Sequence, residues 1–141
     1  MSSREKFAAR TRARRRALQG IYQWYLNRQP AEEIVAQFLL QQDFSNVDEE
    51  LFRRLVCGVT QDEGTIGEKL SPALDRPIDQ VDLMEKVVLM MGMYEMINCP
   101  ETPWRVVLDE AVELAKKFGS EQGHTYVNGV LDKAAAELGR V

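Results

Sequence analysis

The stretch Val81–Ile97, VDLMEKVVLMMGMYEMI, decides the fold. At 100° per residue, Leu83, Val87, Met90, Met91, Tyr94 and Ile97 fill one face of a helix, and Leu89, Met93 and Met96 make much of the opposite side apolar. A helix that is apolar nearly all round lies at the centre of a protein or spans a membrane. Seventeen residues that include Asp82, Glu85, Lys86 and Glu95 make a poor span. A buried central helix is therefore expected, with Gly92 marking the place where a neighbouring helix comes close.

On the C-terminal side, Cys99-Pro100 ends this helix, and Thr102-Pro103 starts another with a cap and a first-turn proline. Trp104, Val107, Leu108, Ala111, Leu114, Ala115 and Phe118 form its apolar stripe. Glu113 and Lys117 pair on the wet side, and Gly119 is the stop. Ser120 is placed to cap a last helix to about Leu138, with Val127, Val130, Leu131, Ala134 and Leu138 inward.

On the N-terminal side, residues 1–9 read as a frayed end. From Arg10 a helix buries Ala13, Ala17, Leu18, Ile21, Trp24 and Tyr25 within an arc of about 140°. Arg12, Arg15 and Arg16 lie opposite that stripe, whereas Arg10 and Arg14 fall on its line, so this turn is expected to project or stay mobile. Pro30 suits the first turn of a second helix carrying Ile34, Val35, Phe38 and Leu39. Ser45 and Asn46 offer caps for a third, with Leu51, Phe52, Leu55, Val56 and Val59 inward. Gly64 and Gly67 weaken its end before Ile66 and Leu70. Pro72 and Pro77 punctuate a loop. No segment alternates with a period of two, so the expected class is all-α: six or seven helices with short loops, bundled around the central apolar helix.

The composition, 45% hydrophobic and 28% charged over 141 residues, is ordinary for a globular domain with its own core. Cys57 and Cys99 make no disulfide framework, and one histidine, His124, cannot assemble a zinc site, so neither metal nor cofactor is expected. No signal peptide or membrane span is visible, which points to the cytoplasm. The net charge of −4 hides an asymmetry. Residues 1–16 carry Arg4, Lys6, Arg10, Arg12, Arg14, Arg15 and Arg16 against Glu5 alone, a net +6 that leaves −10 for the remainder. A basic arm on an acidic body is a footprint of nucleic-acid binding. An arginine-rich, acid-poor N-terminus is also the composition of a transit peptide, but here the apolar pattern runs on from the arginines without a break, as in a structural helix.

On the last helix, Gln122, Tyr126, Gly129 and Lys133 form an exposed strip away from the apolar stripe. An aromatic with a polar tip, a bare glycine and a lysine suit an unstacked base and a phosphate. A half-buried tyrosine beside a surface lysine fits the same spacing. Asp109, Glu110 and Glu113 read as a solvated face, and no phosphate-cradling loop or nucleophile constellation is present. An enzyme is not expected.

Arg14-Arg-Arg-Ala-Leu-Gln-Gly-Ile-Tyr22-Gln-Trp24 resembles the N-terminal signature of the NusB family of bacterial transcription antitermination factors. So do Trp104-Arg-Val-Val-Leu-Asp-Glu-Ala-Val-Glu-Leu-Ala-Lys-Lys-Phe-Gly119 and Tyr126-Val-Asn-Gly-Val-Leu-Asp-Lys133. The likeness covers nearly the whole chain. The sequence also resembles the N-terminal domain of certain ribosomal RNA cytosine methyltransferases, but it ends before any methyltransferase domain, as a free-standing factor does.

The resemblance implies two small helical bundles around the central helix, with subdomains of about 1–78 and 79–141. It also implies binding to boxA, a short uracil-rich single-stranded element of nascent ribosomal RNA, together with NusE, the small-subunit ribosomal protein. It implies that the pair joins RNA polymerase with the other Nus factors and suppresses premature termination. By position it places Arg10, Arg12, Arg14 and Arg15 on phosphates and bases, and Tyr126 on a base with Gln122 and Lys133 beside it. Tyr22 and Glu85 match positions facing NusE. Thr125 stands where the family often has lysine or arginine, and Gly123 where it often has serine. The competing expectation is a helical protein–protein adaptor whose basic arm meets an acidic partner or surface. Burying that arm in a homodimer of the free protein is a further expectation.

Overall fold

The computed structural model describes residues 1–141 and contains seven α-helices and no strand. The chain forms two compact units, Met1–Gln61 and Asp62–Val141. The first holds α1 (Ser3–Asn27), α2 (Ala31–Gln41) and α3 (Glu49–Gln61). The second holds α4 (Glu63–Leu70), two short 3-10 turns at Ser71–Ala73 and Ile78–Gln80, α5 (Leu83–Asn98), α6 (Trp104–Phe118) and α7 (Gly123–Glu137). The units thus divide well before residue 78, because α4 packs on α5 and buries Ile66 and Leu70 in the second unit.

In the first unit α1 packs on both α2 and α3. Ala9, Ala13, Ala17, Leu18 and Ile21 are buried on it, and Gly20 lets Ile34 and Val56 approach, since a Cβ there would sit 3.3 and 3.4 Å from their γ-carbons. Phe38 stacks on Phe52 at 5.7 Å, and Phe44 meets Phe52 edge-on at 4.9 Å.

Residues 3–9 are helical rather than frayed. Ser2 and Glu5 form a capping box: the Ser2 hydroxyl accepts the Glu5 N–H at 3.1 Å, and the Glu5 carboxylate accepts the Ser2 N–H at 3.2 Å. The helix ends at Arg28, which takes the left-handed conformation (φ 55°), donates its N–H to Trp24 and lays its guanidinium 4.0 Å over the Trp24 ring. The cap of α3 is Asp48, not Ser45 or Asn46, for Asp48 Oδ1 accepts the Leu51 N–H at 3.0 Å.

In the second unit α5 packs against α4, α6 and α7, and every residue from Val87 to Met96 is buried. Asp82 caps α5 by accepting the Met84 and Glu85 N–H groups. The close approach expected at Gly92 is made by α7: a Cβ there would lie 2.7 Å from Leu131 Cδ1. Val107, Leu108, Ala111, Leu114 and Ala115 of α6 are buried, as are Val127, Val130, Leu131 and Ala134 of α7. Thr102 is buried just before α6, and its carbonyl accepts from Arg140 Nη2 at 2.7 Å. Glu113 pairs with Lys116 rather than Lys117.

Candidate nucleic-acid interface

The arginine run lies on an ordered helix that is tied to the loop before α3. The Asp48 N–H donates to the Ala9 carbonyl, Arg10 pairs with Asp48 at 3.5 Å, and Arg12 Nη1 donates to the Asn46 carbonyl at 3.2 Å. Arg16 Nη2 donates to the Asp43 carbonyl at 3.1 Å, and its guanidinium lies 5.3 Å from the Phe44 ring centroid. The expected mobile turn is therefore packed. Arg14, on the line of the apolar stripe, is 3% exposed, whereas Arg12 and Arg15 are exposed and Arg10 is half-buried. Arg12 and Arg15 share the solvent-facing side of α1, Arg10 lies apart from them, half-buried against Asp48, and Arg14 is turned inward. Tyr22, two turns further on, is half-buried.

In the second unit the strip on α7 forms as its spacing requires. Gln122, Gly129 and Lys133 are exposed, and Tyr126 is half-buried. Two residues that no local sequence pattern singles out complete it. Tyr126 Oη donates to Asp75 Oδ1 at 3.1 Å, and the Arg76 guanidinium carbon lies 4.7 Å from the Tyr126 ring centroid. Arg76 Nε and Nη2 donate to the two oxygens of Asp75 at 2.9 and 3.2 Å. Burial, reinforced by the Asp75 carboxylate, raises the Tyr126 hydroxyl above its usual pKa, and the Arg76 fork holds Asp75 below its own. An aromatic 51 residues away along the chain is not a signal that local spacing carries.

Glu85 is not a surface carboxylate. It is 6% exposed, and Ser120, instead of capping α7, donates to it twice: its hydroxyl to Oε1 at 2.9 Å and its N–H to Oε2 at 3.3 Å. Two glycines make room. A Cβ at Gly123 would come within 2.7 Å of Glu85 Cδ, and one at Gly119 within 3.1 Å of Oε2. The glycine at 123 thus has a local cause. Burial first, then the neighbouring Asp82, pushes the Glu85 carboxyl above its usual pKa against the pull of Ser120, while hydrogen bonding with Glu85 holds Asp82 below its own. No group of three His, Cys, Asp or Glu side chains is placed to hold a metal ion, and no helix is long and apolar enough to cross a membrane.

The model of the NusB family matches residues 11–136. The chain belongs to the NusB family. It is 49% identical over 129 residues to the transcription antitermination protein NusB of Nitrosococcus oceani, covering 92% of this chain and 86% of that one. It is 47% identical over 133 residues to the corresponding protein of Burkholderia cenocepacia, covering 94% and 92%. Among solved structures it is similar to NusB of T. maritima, with a TM-score of 0.81 at 28% identity over 90% of each chain. It is also similar to a chain of the complex of NusB and NusE with double-stranded RNA, with a TM-score of 0.76 at 23% identity over 96% of this chain and 99% of that one. That last likeness speaks for the fold alone. The NusB family match runs from within α1 to the end of α7, so every candidate residue except Arg10 lies inside it.

Proposed function

We propose that this chain is a non-enzymatic, cytoplasmic transcription antitermination factor. It binds the boxA element of nascent ribosomal RNA together with NusE, brings that complex to RNA polymerase with the other Nus factors, and suppresses premature termination. What carries the reading is the near full-length correspondence with relatives that are transcription antitermination proteins, at 49% identity in the Nitrosococcus oceani protein.

The geometry supports a division of labour. Arg10, Arg12 and Arg15 meet phosphates, and each phosphate neutralised releases counterions, so affinity falls steeply with salt. Tyr126 stacks on an unpaired base, with Gln122 and Lys133 flanking it, because bases of single-stranded RNA are free to be splayed onto aromatic rings. Arg14, buried, supports the helix that carries the others. Toward NusE, Tyr22 offers a half-exposed ring, while Glu85 acts through the loop that it fixes by holding Ser120.

The test is fluorescence anisotropy of a labelled boxA RNA against a scrambled RNA of equal length, titrated with and without NusE at two salt concentrations. Tighter, sequence-dependent binding with NusE present is the expected result. Equal, salt-sensitive binding to both RNAs would leave only a charged helix and overturn the reading.

A further inference from the structure

Residues 74–77, between the two 3-10 turns, deliver Asp75 and Arg76 to the outer side of α7. The ring of Tyr126 is already occupied there. Its hydroxyl is tied to Asp75, the same carboxylate grips Arg76 through two N–H groups, and the guanidinium lies 4.7 Å from the ring centroid. A planar guanidinium and a nucleobase are alternative stacking partners for one aromatic surface. The cation therefore fills a position that a stacked base needs.

The arrangement is also exchangeable. The Arg76 and Asp75 side chains are 46% and 64% exposed, so water can take over their hydrogen bonds as they part. A phosphate offers Arg76 the same two-pronged acceptor that Asp75 does. Opening costs the cation its place on the ring, but not a forked anionic partner.

We propose that Asp75 and Arg76 form a gate on Tyr126. In the free protein Arg76 covers the ring; an unpaired base enters by displacing it, and the released guanidinium turns to a phosphate of the same strand. This rests on the reading of Tyr126 as the base-stacking residue. The gate selects for single strands, because a base held in a duplex cannot offer its face to the ring and so leaves Arg76 in place.

A double-mutant cycle tests it. Affinity for the labelled boxA RNA is measured with NusE present for the wild type, Arg76→Ala, Tyr126→Ala and the double variant. The general loss of one positive charge is the same in both backgrounds and cancels in the cycle. With a gate, removing Arg76 is more favourable to binding when Tyr126 is present than when it is absent, by about two- to fivefold. A coupling of the opposite sign would mean that Arg76 clamps the base against the ring, and no coupling would mean that it is a bystander; either overturns the gate. If Tyr126→Ala alone weakens binding while the cycle shows no coupling, the gate falls and base stacking stands. If Tyr126→Ala leaves affinity unchanged, both fall.

Discussion

Alanine at two glycines should move stability in opposite directions. Gly92 and Gly129 both lie inside helices, so each alanine gains up to about 1 kcal/mol from the lower backbone entropy of the unfolded chain. At Gly129 nothing lies within 4 Å of the new Cβ, and that gain stands. At Gly92 the Cβ would sit 2.7 Å from Leu131 Cδ1 and 3.3 Å from Cδ2, and Leu131 has no exposed surface into which to turn. Overpacking of this kind costs about 1–3 kcal/mol. Gly92→Ala should therefore be destabilised by up to about 2 kcal/mol and Gly129→Ala stabilised by about 0.5–1 kcal/mol. At roughly 2–4 °C per kcal/mol for a chain of this size, melting followed by far-UV circular dichroism resolves the difference, and urea unfolding gives it independently. If Gly92→Ala proves as stable as Gly129→Ala, Leu131 yields without cost, and the close approach of α7 to α5 is not what the glycine serves.

Three further outcomes follow from the same contacts. The Glu85 carboxyl titrates above its unfolded value of 4.5, so the folded chain keeps a proton that the unfolded chain gives up; this residue's contribution to stability falls as pH rises through that window. Asp82, lowered from 3.8, has the opposite sign and loses its contribution as pH falls. Glu85→Gln, whose amide can still donate to Asp82, should remove the loss on the alkaline side and keep the acid one, which urea midpoints from about pH 2 to 7 can show; parallel profiles for variant and wild type would disprove the assignment. Arg12→Ala combined with Arg15→Ala should weaken boxA binding and flatten its log–log salt dependence by about 1.4, at 0.7 per phosphate contact on a single strand, and an unchanged slope would remove both from the interface. Tyr126→Ala should cost about 1–3 kcal/mol of RNA affinity by anisotropy with an unaltered melting curve for the fold, whereas equal affinity would make the tyrosine structural only.

What the sequence made legible was periodic. The all-α class, the buried central helix and the inward faces of α3, α6 and α7 follow from spacing, because a 3.6-residue repeat has one physical reading when the apolar residues are this numerous. Gly92 was legible for the same reason: a residue without a side chain amid methionines is informative only if something fills the space. Helix ends were harder: Ser2 and Glu5 form a local capping box, but Ser45, Asn46, Asp48, Thr102 and Ser120 all have capping chemistry too, and only tertiary position decides which of those use it. Ser120 is the instructive case. Its hydroxyl is drawn off by Glu85, 35 residues away, and α7 starts without a side-chain cap. The strip on α7 was readable as a face, but its partners Asp75 and Arg76 come from a loop whose path no local pattern specifies.

The arginine run has a structural role that is compatible with the binding role proposed for it. From the sequence, six arginines in thirteen residues repel one another with no structural return. In the structure Arg12 and Arg16 donate to the carbonyls of Asn46 and Asp43, and so hold the loop before α3. A carbonyl is neutral, so these hydrogen bonds fix the direction of a guanidinium without cancelling its charge; Arg10, by contrast, is partly neutralised by Asp48, and Arg16 feels the Asp43 carboxylate. A polyanion thus meets cations that are already ordered, and less side-chain entropy is lost on binding than with a mobile arm. Hydrogen bonding to neutral acceptors is an arrangement that would let one set of arginines fasten a loop and still serve the proposed RNA contact.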